Sequence, residues 1–437
     1  MAKGNPSVSL HIDRLAHDGR GVGQVEGKTT FVSGALPGET VTAHYVKQRR
    51  QYDEAKVVHI ESASTDRITP RCAHFLTCGG CQLQHLSPDH QIQFKQAVLL
   101  EQLAHIAQVQ PQRVLPPLTA PAWHYRHKAR LGVRYVKAKQ KFLVGFREKF
   151  YPRFIADLNE CHILLNHPGV AITHLQSLLP TLQIGEQIAQ LEVTAGEDQC
   201  ALIIRHLQPM PATDQQTLIN YAQQHQLTLY LQPGGLDSIT QLWPTEPQSL
   251  HYTLPQQTLQ FDFAPGDFTQ VNPYMNQFMV NQALDLLALR PDDVVLDLFC
   301  GLGNFSLPMA QQCQQVVGVE GDTQMVERAS ANAQRNDLGQ TQFYCANLTQ
   351  SFANTPWWPG PYTKLLLDPP RSGALDILQP LANHRFERIV YVSCNPATLA
   401  RDLKILIHQQ GYQLSAVGVM DMFPHTAHVE AIALLES

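Results

Sequence analysis

Among the residues of this chain that could do chemistry, Cys394 has the most to explain. It sits in Ser393-Cys394-Asn395-Pro396, at the end of the apolar run Arg388-Ile389-Val390-Tyr391-Val392. Such a run predicts a buried strand of a parallel sheet, and open α/β sheets place their chemistry beyond the carboxyl ends of these strands. A thiolate there reads as a nucleophile. Added to C6 of a pyrimidine, it makes C5 enolate-like, so that C5 can attack a methyl sulfonium; a base then removes the C5 proton and the thiol leaves. The base is sought in Phe423-Pro424-His425-Thr426-Ala427-His428-Val429-Glu430, which enters the apolar stretch 431–435. Glu430 is the choice, because a carboxylate entering a buried strand has a raised pKa suited to proton removal near neutrality. His425 and His428 compete with it, although a lone histidine is more often a hydrogen-bonded structural residue. Upstream, Leu365-Leu366-Leu367 leads into Asp368-Pro369-Pro370-Arg371, where two prolines fixed in φ hold a rigid open loop. Asp368 has two available roles, a hydrogen bond to N3 of the ring or placement of the thiol. Enzymes that methylate exocyclic amines use an aromatic residue after the prolines; Arg371 takes that place here, and the stacking is lost.

These groups need a sheet and a cofactor pocket to position them. Val294-Val295-Leu296-Asp297-Leu298-Phe299 predicts a second buried strand, running into the glycine turn Cys300-Gly301-Leu302-Gly303-Asn304-Phe305. A dinucleotide site wants a third glycine where Ser306 stands, so NAD and FAD are disfavoured. S-adenosylmethionine carries no phosphate and tolerates a looser turn. Its ribose still wants a carboxylate at the end of the next strand, and Val316-Val317-Gly318-Val319-Glu320 supplies one. A short strand 342–345 leads to Asn347, a polar tip for the adenine amino group. With helical stretches at 322–336 and 396–410, the pattern is a doubly wound Rossmann-like sheet.

A second constellation is Cys72, Cys78 and Cys81, with Cys161 far downstream and Gly79 and Gly80 inside the trio. Four thiolates complete a metal or iron-sulfur centre. A [4Fe-4S] cluster is favoured over zinc, since zinc ribbons prefer paired CxxC knuckles and no second pair exists. Radical enzymes use a tighter trio with one iron left open, which argues against radical chemistry. The nine cysteines are odd in number and no apolar signal segment follows Met1, so a reduced, cytoplasmic protein is expected rather than a disulfide framework. Cys200, Cys300, Cys313 and Cys345 are read as buried apolar residues.

The 437 residues have room for two to four domains, and 44% hydrophobic content without a long apolar run excludes a membrane protein of helical type. The net charge of -5 hides a division. Residues 1–160 hold 22 Lys and Arg against 13 Asp and Glu, leaving 10 against 24 for the remainder. Ten basic residues between Arg126 and Arg153 face one acid, Glu148, with Tyr135, Phe142 and Phe146 interleaved. This is the footprint of an RNA surface, or of a solvated basic hairpin. At the front, Val8, Leu10 and Ile12 share a face, Asp18-Gly19-Arg20-Gly21 turns the chain, and Val41, Ala43 and Tyr45 alternate again. A small OB-like β-barrel is expected, with Lys47, Arg49, Arg50 and Tyr52 as a contact strand. Residues 62–66 read as a linker, 89–107 as helical and 125–262 as a mixed α+β region, with no repeat or low-complexity tract. The expected division is a barrel over 1–62, a central domain over 63–262 and a catalytic domain over 263–437.

Taken together, the barrel, the cysteine trio with Cys161, Gln270 in Asp267-Phe268-Thr269-Gln270-Val271-Asn272, the glycine turn, Asp368-Pro369-Pro370-Arg371, Ser393-Cys394-Asn395-Pro396 and His428-Val429-Glu430 resemble the RNA uracil-C5 methyltransferases, specifically their 23S ribosomal RNA branch. The likeness covers nearly the whole chain. It implies a TRAM-type barrel and an S-adenosylmethionine site lined by Gln270, Phe299, Asn304, Glu320, Asn347 and Asp368. It further implies Cys394 as nucleophile, Glu430 as base, Asp368 beside them, and a [4Fe-4S] cluster on Cys72, Cys78, Cys81 and Cys161. Asn347 stands where many such domains carry Asp. The tRNA-modifying relatives are expected to lack barrel and cluster, so both features point to 23S ribosomal RNA as partner; separately, no membrane partner and a monomer are expected. The target uracil must flip from its stack, with Phe268 and Phe423 as pocket walls. Open alternatives are the same chemistry on another rRNA or tRNA uracil, methylation of cytosine or an amine, and a non-catalytic RNA-binding iron-sulfur protein.

Overall fold

A computed structural model describes residues 7–350, 352 and 355–437. Six strands between Ser7 and Ser62 curl into one sheet around Leu10, Ile12, Val32, Val41, Ala43 and Ala55. Leu10 and Ile12 face inward as alternation requires, while Lys47, Arg49 and Arg50 are exposed at the tip of the two longest strands. The stretch expected to be a linker is tied down instead. Glu39, fully buried, accepts hydrogen bonds from the Ser64 N–H at 3.2 Å and from both the Nε and Nη2 of Arg67, at 2.5 and 2.7 Å. A buried carboxylate cannot stay unpaired, and this one fastens the exit of the barrel.

The central region holds a second six-stranded sheet. Its order is Thr240–Trp243, Leu227–Gln232, Cys200–His206, Ile188–Ala195, Lys128–Val136 and Lys141–Gly145. Only the pair 200–206 and 227–232 is parallel, joined through the helix Ala212–His225; the other pairings are antiparallel.

The C-terminal sheet carries seven strands, labelled here in chain order: β1 Val294–Leu298, β2 Gln315–Glu320, β3 Thr341–Cys345, β4 Lys364–Leu367, β5 Arg388–Ser393, β6 Gln413–Met420 and β7 Glu430–Glu436. They lie in the order β3-β2-β1-β4-β5-β7-β6, with the short strand Arg113–Val114 added beside β6. The first five are parallel, and β7 runs antiparallel between β5 and β6. Apolar runs fill the middle strands because both faces are covered. Leu296, Leu298, Leu365, Leu367 and Tyr391 enter one core; Val295, Leu366, Val390 and Val392 enter the other. This is the two-residue period of a strand buried on both sides.

Two segments that lie in the central stretch by sequence belong to these cores. The helix Pro88–Gln102 and the wider turn Leu103–Ala107 pack on the helix Pro396–His408 and on β6, burying Ile92, Val98, Leu99 and Leu103 in the core that β1 and β4 also enter. The hairpin Leu250–Leu254 and Leu259–Phe263 covers the opposite face, its outer edge closed by the side-chain amides of Asn332 and Asn336. Cys200 and Cys300 are buried as expected, and Cys313 is half-buried. Cys345 is exposed, against expectation, because β3 is the edge strand and packs on one side only. Among the described residues no helix is long and apolar enough to cross a membrane.

Candidate active site

Cys394, Asp368 and Glu430 come together through the sheet. Asp368 follows β4 and Cys394 follows β5, two neighbouring parallel strands paired as far as Leu367 and Tyr391. Glu430 opens β7, and the next residue, Ala431, pairs with Ser393. The antiparallel strand thus brings its beginning to the rim where β5 ends.

Electrostatics tie the three groups to one another and to Arg371. Burial pushes the Cys394 thiol up; Glu430 and Asp368 push in the same direction, and the Arg371 guanidinium opposes them by charge and by a hydrogen bond to the sulfur. Glu430, 5% exposed, is raised well above the ordinary carboxylate range by burial first and then by Asp368, with Arg371 and Lys95 opposing. Burial raises Asp368 to about 7. Arg371 is held there by its carbonyl, which accepts from the Asn395 Nδ2 at 3.1 Å and from the Thr398 hydroxyl at 3.2 Å. Asn395 also caps the helix Pro396–His408, its Oδ1 accepting from the Ala397 N–H. The turn that carries Cys394 and the Arg371 loop are therefore one hydrogen-bonded unit.

Beside this rim the glycine turn follows β1. Phe299 is left-handed at φ 66° and donates its N–H to the Val319 carbonyl at 2.9 Å. The Glu320 carboxylate accepts from the Gly301 N–H at 3.1 Å and the Gly321 N–H at 2.7 Å, fixing the turn to the end of β2. Asn304 forms a reciprocal amide pair with Asn276, both bonds 2.9 Å, and accepts from the Tyr252 hydroxyl. Gln270 lines a cavity with Tyr252, Phe263 and Asn276 next to this group. Asn347 is exposed past β3, its Oδ1 accepting from the N–H and hydroxyl of Thr349. Sequence reasoning missed Asp297. It is fully buried in β1, accepts from the Ser306 hydroxyl, and is raised by burial to about 8, with Asp368 and Glu320 adding to the shift. A carboxylate inside the apolar run 294–298 was the signal, and Ser306 stands at the missing third glycine to meet it.

The two histidines separate. His425 is 2% exposed, stacked on Trp123 at 3.9 Å, and burial lowers it to about 4. His428 is exposed on a cleft shared with His17, Arg20, Lys149 and Phe150, so barrel, central region and catalytic rim meet there. Phe423 stands edge-on to His428 at 5.6 Å, whereas Phe268 is 67% exposed.

Cys72, Cys78, Cys81 and Cys161 line one small cavity with Phe75, Phe146 and Leu158, all as free thiols. Burial pushes Cys78 up to about 11 and Cys81 to about 12, and the other cysteines of the set push further. Among the described residues no three His, Cys, Asp or Glu side chains form a ready metal-ion site. The basic hairpin is partly neutralised within the chain: Asp157 pairs with Lys139 and Lys141 at 2.7 Å each, and Glu192 with Arg130 at 2.8 Å. Arg134 and Lys137 remain exposed.

A doubly wound sheet with a glycine turn beside a strand-end thiol and carboxylate defines a Rossmann-like methyltransferase domain, here preceded by a TRAM barrel. Residues 246–354 and 361–437 match the family model described as tRNA (Uracil-5-)-methyltransferase, and residues 8–58 match the TRAM domain. Two relatives named "23S rRNA (uracil(1939)-C(5))-methyltransferase RlmD" come from Legionella pneumophila strain Paris and Xanthomonas campestris pv. campestris strain 8004. The first is 49% identical over 100% of both chains, the second 52% identical over 97% of this chain and 96% of its own. The chain belongs to the RNA uracil-C5 methyltransferase family and is an enzyme of that class. A solved structure of Pyrococcus abyssi tRNA (uracil-54, C5)-methyltransferase with S-adenosyl-L-homocysteine covers 98% of this chain and 100% of its own, with TM-score 0.74 and 22% identity. That likeness corrects the expectation that tRNA-modifying relatives lack the barrel, because the shared fold extends through it.

Proposed function

We propose that the enzyme methylates C5 of a uracil in 23S ribosomal RNA from S-adenosylmethionine, at the position its relatives' names give, uracil 1939. The choice of ribosomal over transfer RNA rests on those relatives, since architecture does not separate the two. The observation that carries the chemistry is the convergence of Cys394, Glu430 and Arg371 at one rim beside the glycine turn. Gln270, Phe299, Asn304, Glu320, Asn347 and Asp368 would hold the cofactor, which when bound supplies an electrophilic methyl group. Asp297 supports that pocket from beneath.

The Cys394 thiol gives its proton to solvent, the Arg371 guanidinium stabilising the thiolate, and the sulfur adds to C6 of the flipped base, so that the C5–C6 pair of electrons becomes available at C5. Asp368, raised to about 7, is suited to share a proton with the ring while charge develops there. After methyl transfer, Glu430 takes the C5 proton; the C5–H electrons restore the C5–C6 double bond, and the C6–S bond breaks to return the thiolate. Phe423 is the favoured wall of the base pocket. Phe268, open to solvent, would reach the base only from bound RNA's side.

Cys72, Cys78, Cys81 and Cys161 would hold a [4Fe-4S] cluster. The fit is supported by four free thiols around one apolar cavity, where thiolates would be costly without cationic iron. We read the chain in sequence order as barrel 1–62, central unit 63–262 and catalytic unit 263–437, with the helix Pro88–Gln102 and the hairpin 250–263 packed into the catalytic unit's cores, working as a cytoplasmic monomer. A 23S RNA fragment carrying 5-fluorouridine at the target tests the core of the reading, because fluorine blocks the final proton removal. With S-adenosylmethionine it should leave a covalent complex that is absent in Cys394→Ala. No complex with the wild-type enzyme would refute the mechanism; capture at the tRNA uracil instead would reassign the substrate.

A further inference from the structure

The mechanism above does not use Lys95, a lysine whose side chain is fully buried. An ammonium taken out of water costs several kcal/mol unless it is well paired, so its partners show what it is there to hold. Its Nζ donates to the Asp421 carboxylate at 2.6 Å and to the Phe423 carbonyl at 2.9 Å. Both acceptors lie in the loop between β6 and β7. Met420, the last residue of β6, pairs directly with Glu430, so this loop is the lid of the hairpin that presents Glu430.

The helix that carries Lys95 grips the loop twice. Gln91, one turn earlier on the same face, accepts from the His425 N–H at 2.9 Å and donates its amide to the His425 Nδ1 at 3.3 Å. The turn before the helix adds a third hold, with the N–H groups of Gln82 and Leu83 both donating to the His425 carbonyl at 2.9 Å.

We propose that Lys95 is a positioning residue for proton removal: bridging Asp421 and the Phe423 carbonyl, it holds the β6–β7 loop so that the Glu430 carboxylate is set at C5 of the methylated base. This rests on the assignment of Glu430 as base. Its buried charge also acts on Glu430, opposing the upward push of burial and of Asp368. Lys95 is fully buried and both of its hydrogen bonds go to the β6–β7 loop, so on this reading thiol attack and methyl transfer do not depend on it.

The test separates those two halves in the full-length enzyme. Formation of the covalent complex on 5-fluorouridine RNA reads attack and methyl transfer; single-turnover release of methylated product from uridine RNA reads proton removal. Lys95→Met alone leaves Asp421 unpaired and can fail to fold, so Lys95→Met/Asp421→Asn, which removes both charges, is measured with it. The double variant should form the complex within about twofold of wild type, while release slows by about tenfold or more and methylated adduct accumulates on uridine RNA. Release at the wild-type rate in a folded double variant, or an equal fall in both rates, overturns the role of Lys95 while leaving Glu430 in place. If wild type forms no complex on 5-fluorouridine RNA, the underlying mechanism and this inference fall together.

Discussion

Replacing Gly303 with alanine separates two costs that the glycine turn avoids. Gly303 has φ +85°, and a Cβ added there would lie 2.4 Å from Leu307 Cδ1 and 3.2 Å from Phe343 Cζ. Leu307 cannot swing away freely, being fully buried and tied by its own N–H to the Gly303 carbonyl at 3.0 Å. Left-handed backbone costs an L-residue about 1–2 kcal/mol, and overpacking a filled core costs about 1–3 kcal/mol. Together, Gly303→Ala should lose about 2–5 kcal/mol, divided between folding stability and cofactor affinity according to how far the turn moves. Gly411→Ala is the internal control, at φ +75° in the same domain with only Arg385 Nη1 near, at 3.9 Å. It should lose about 1–2 kcal/mol of stability and bind cofactor normally. Urea unfolding and calorimetric titration with S-adenosyl-L-homocysteine measure both quantities. Equal losses in the two variants, with cofactor affinity unchanged in Gly303→Ala, would refute the reasoning that this turn is shaped for close approach of a ligand.

Glu430→Gln should slow turnover by about a hundred- to ten-thousand-fold, the usual reach of a general base. Because burial raises the Glu430 value above its ordinary 4.5, the wild-type carboxyl gives stability that is full below that pH and lost as pH rises through the folded value. The glutamine variant should therefore be at least as stable as wild type near neutrality, with a flatter dependence on pH; unfolding curves across that range, steeper for the variant, would contradict this. Anaerobically purified enzyme should carry iron and sulfide with visible absorbance, and Cys161→Ser should lower the iron content. Wild type binding a single zinc instead would replace the cluster by the other four-thiolate centre. Arg134→Ala/Lys137→Ala should weaken RNA binding and flatten the log K against log salt slope by about 0.7 for each single-strand phosphate no longer neutralised. An unchanged slope would make this hairpin a solvated face.

The parallel strands were legible because strands buried on both faces are apolar over most of their length, as in Val294–Leu298, where Asp297 is the exception, and Arg388–Ser393. Cys394 and Glu430 could be chosen because each ends or begins such a run. Lys95 and Asp421 could not be paired from sequence, since nothing local in either segment says that a helix after the cysteine trio packs on the last hairpin. The edge position of β3 was equally hidden, and with it the exposure of Cys345. The basic run was legible as composition, but its reduction by Asp157 and Glu192 depends on strand pairing that charge counting does not register.

Inserting β7 between β5 and β6 has a consequence for the order in which the enzyme matures. The strand that begins with Glu430 is also the one that fills the place between β5 and β6. If Cys394 and Glu430 act as proposed, a chain with its final strand still loose would hold the sulfur without the group that frees RNA bonded to it. Such a chain also lacks the packing that shapes the rim beside β5. On that reading, docking of this strand between β5 and β6 is the folding step that gives the enzyme its means of release.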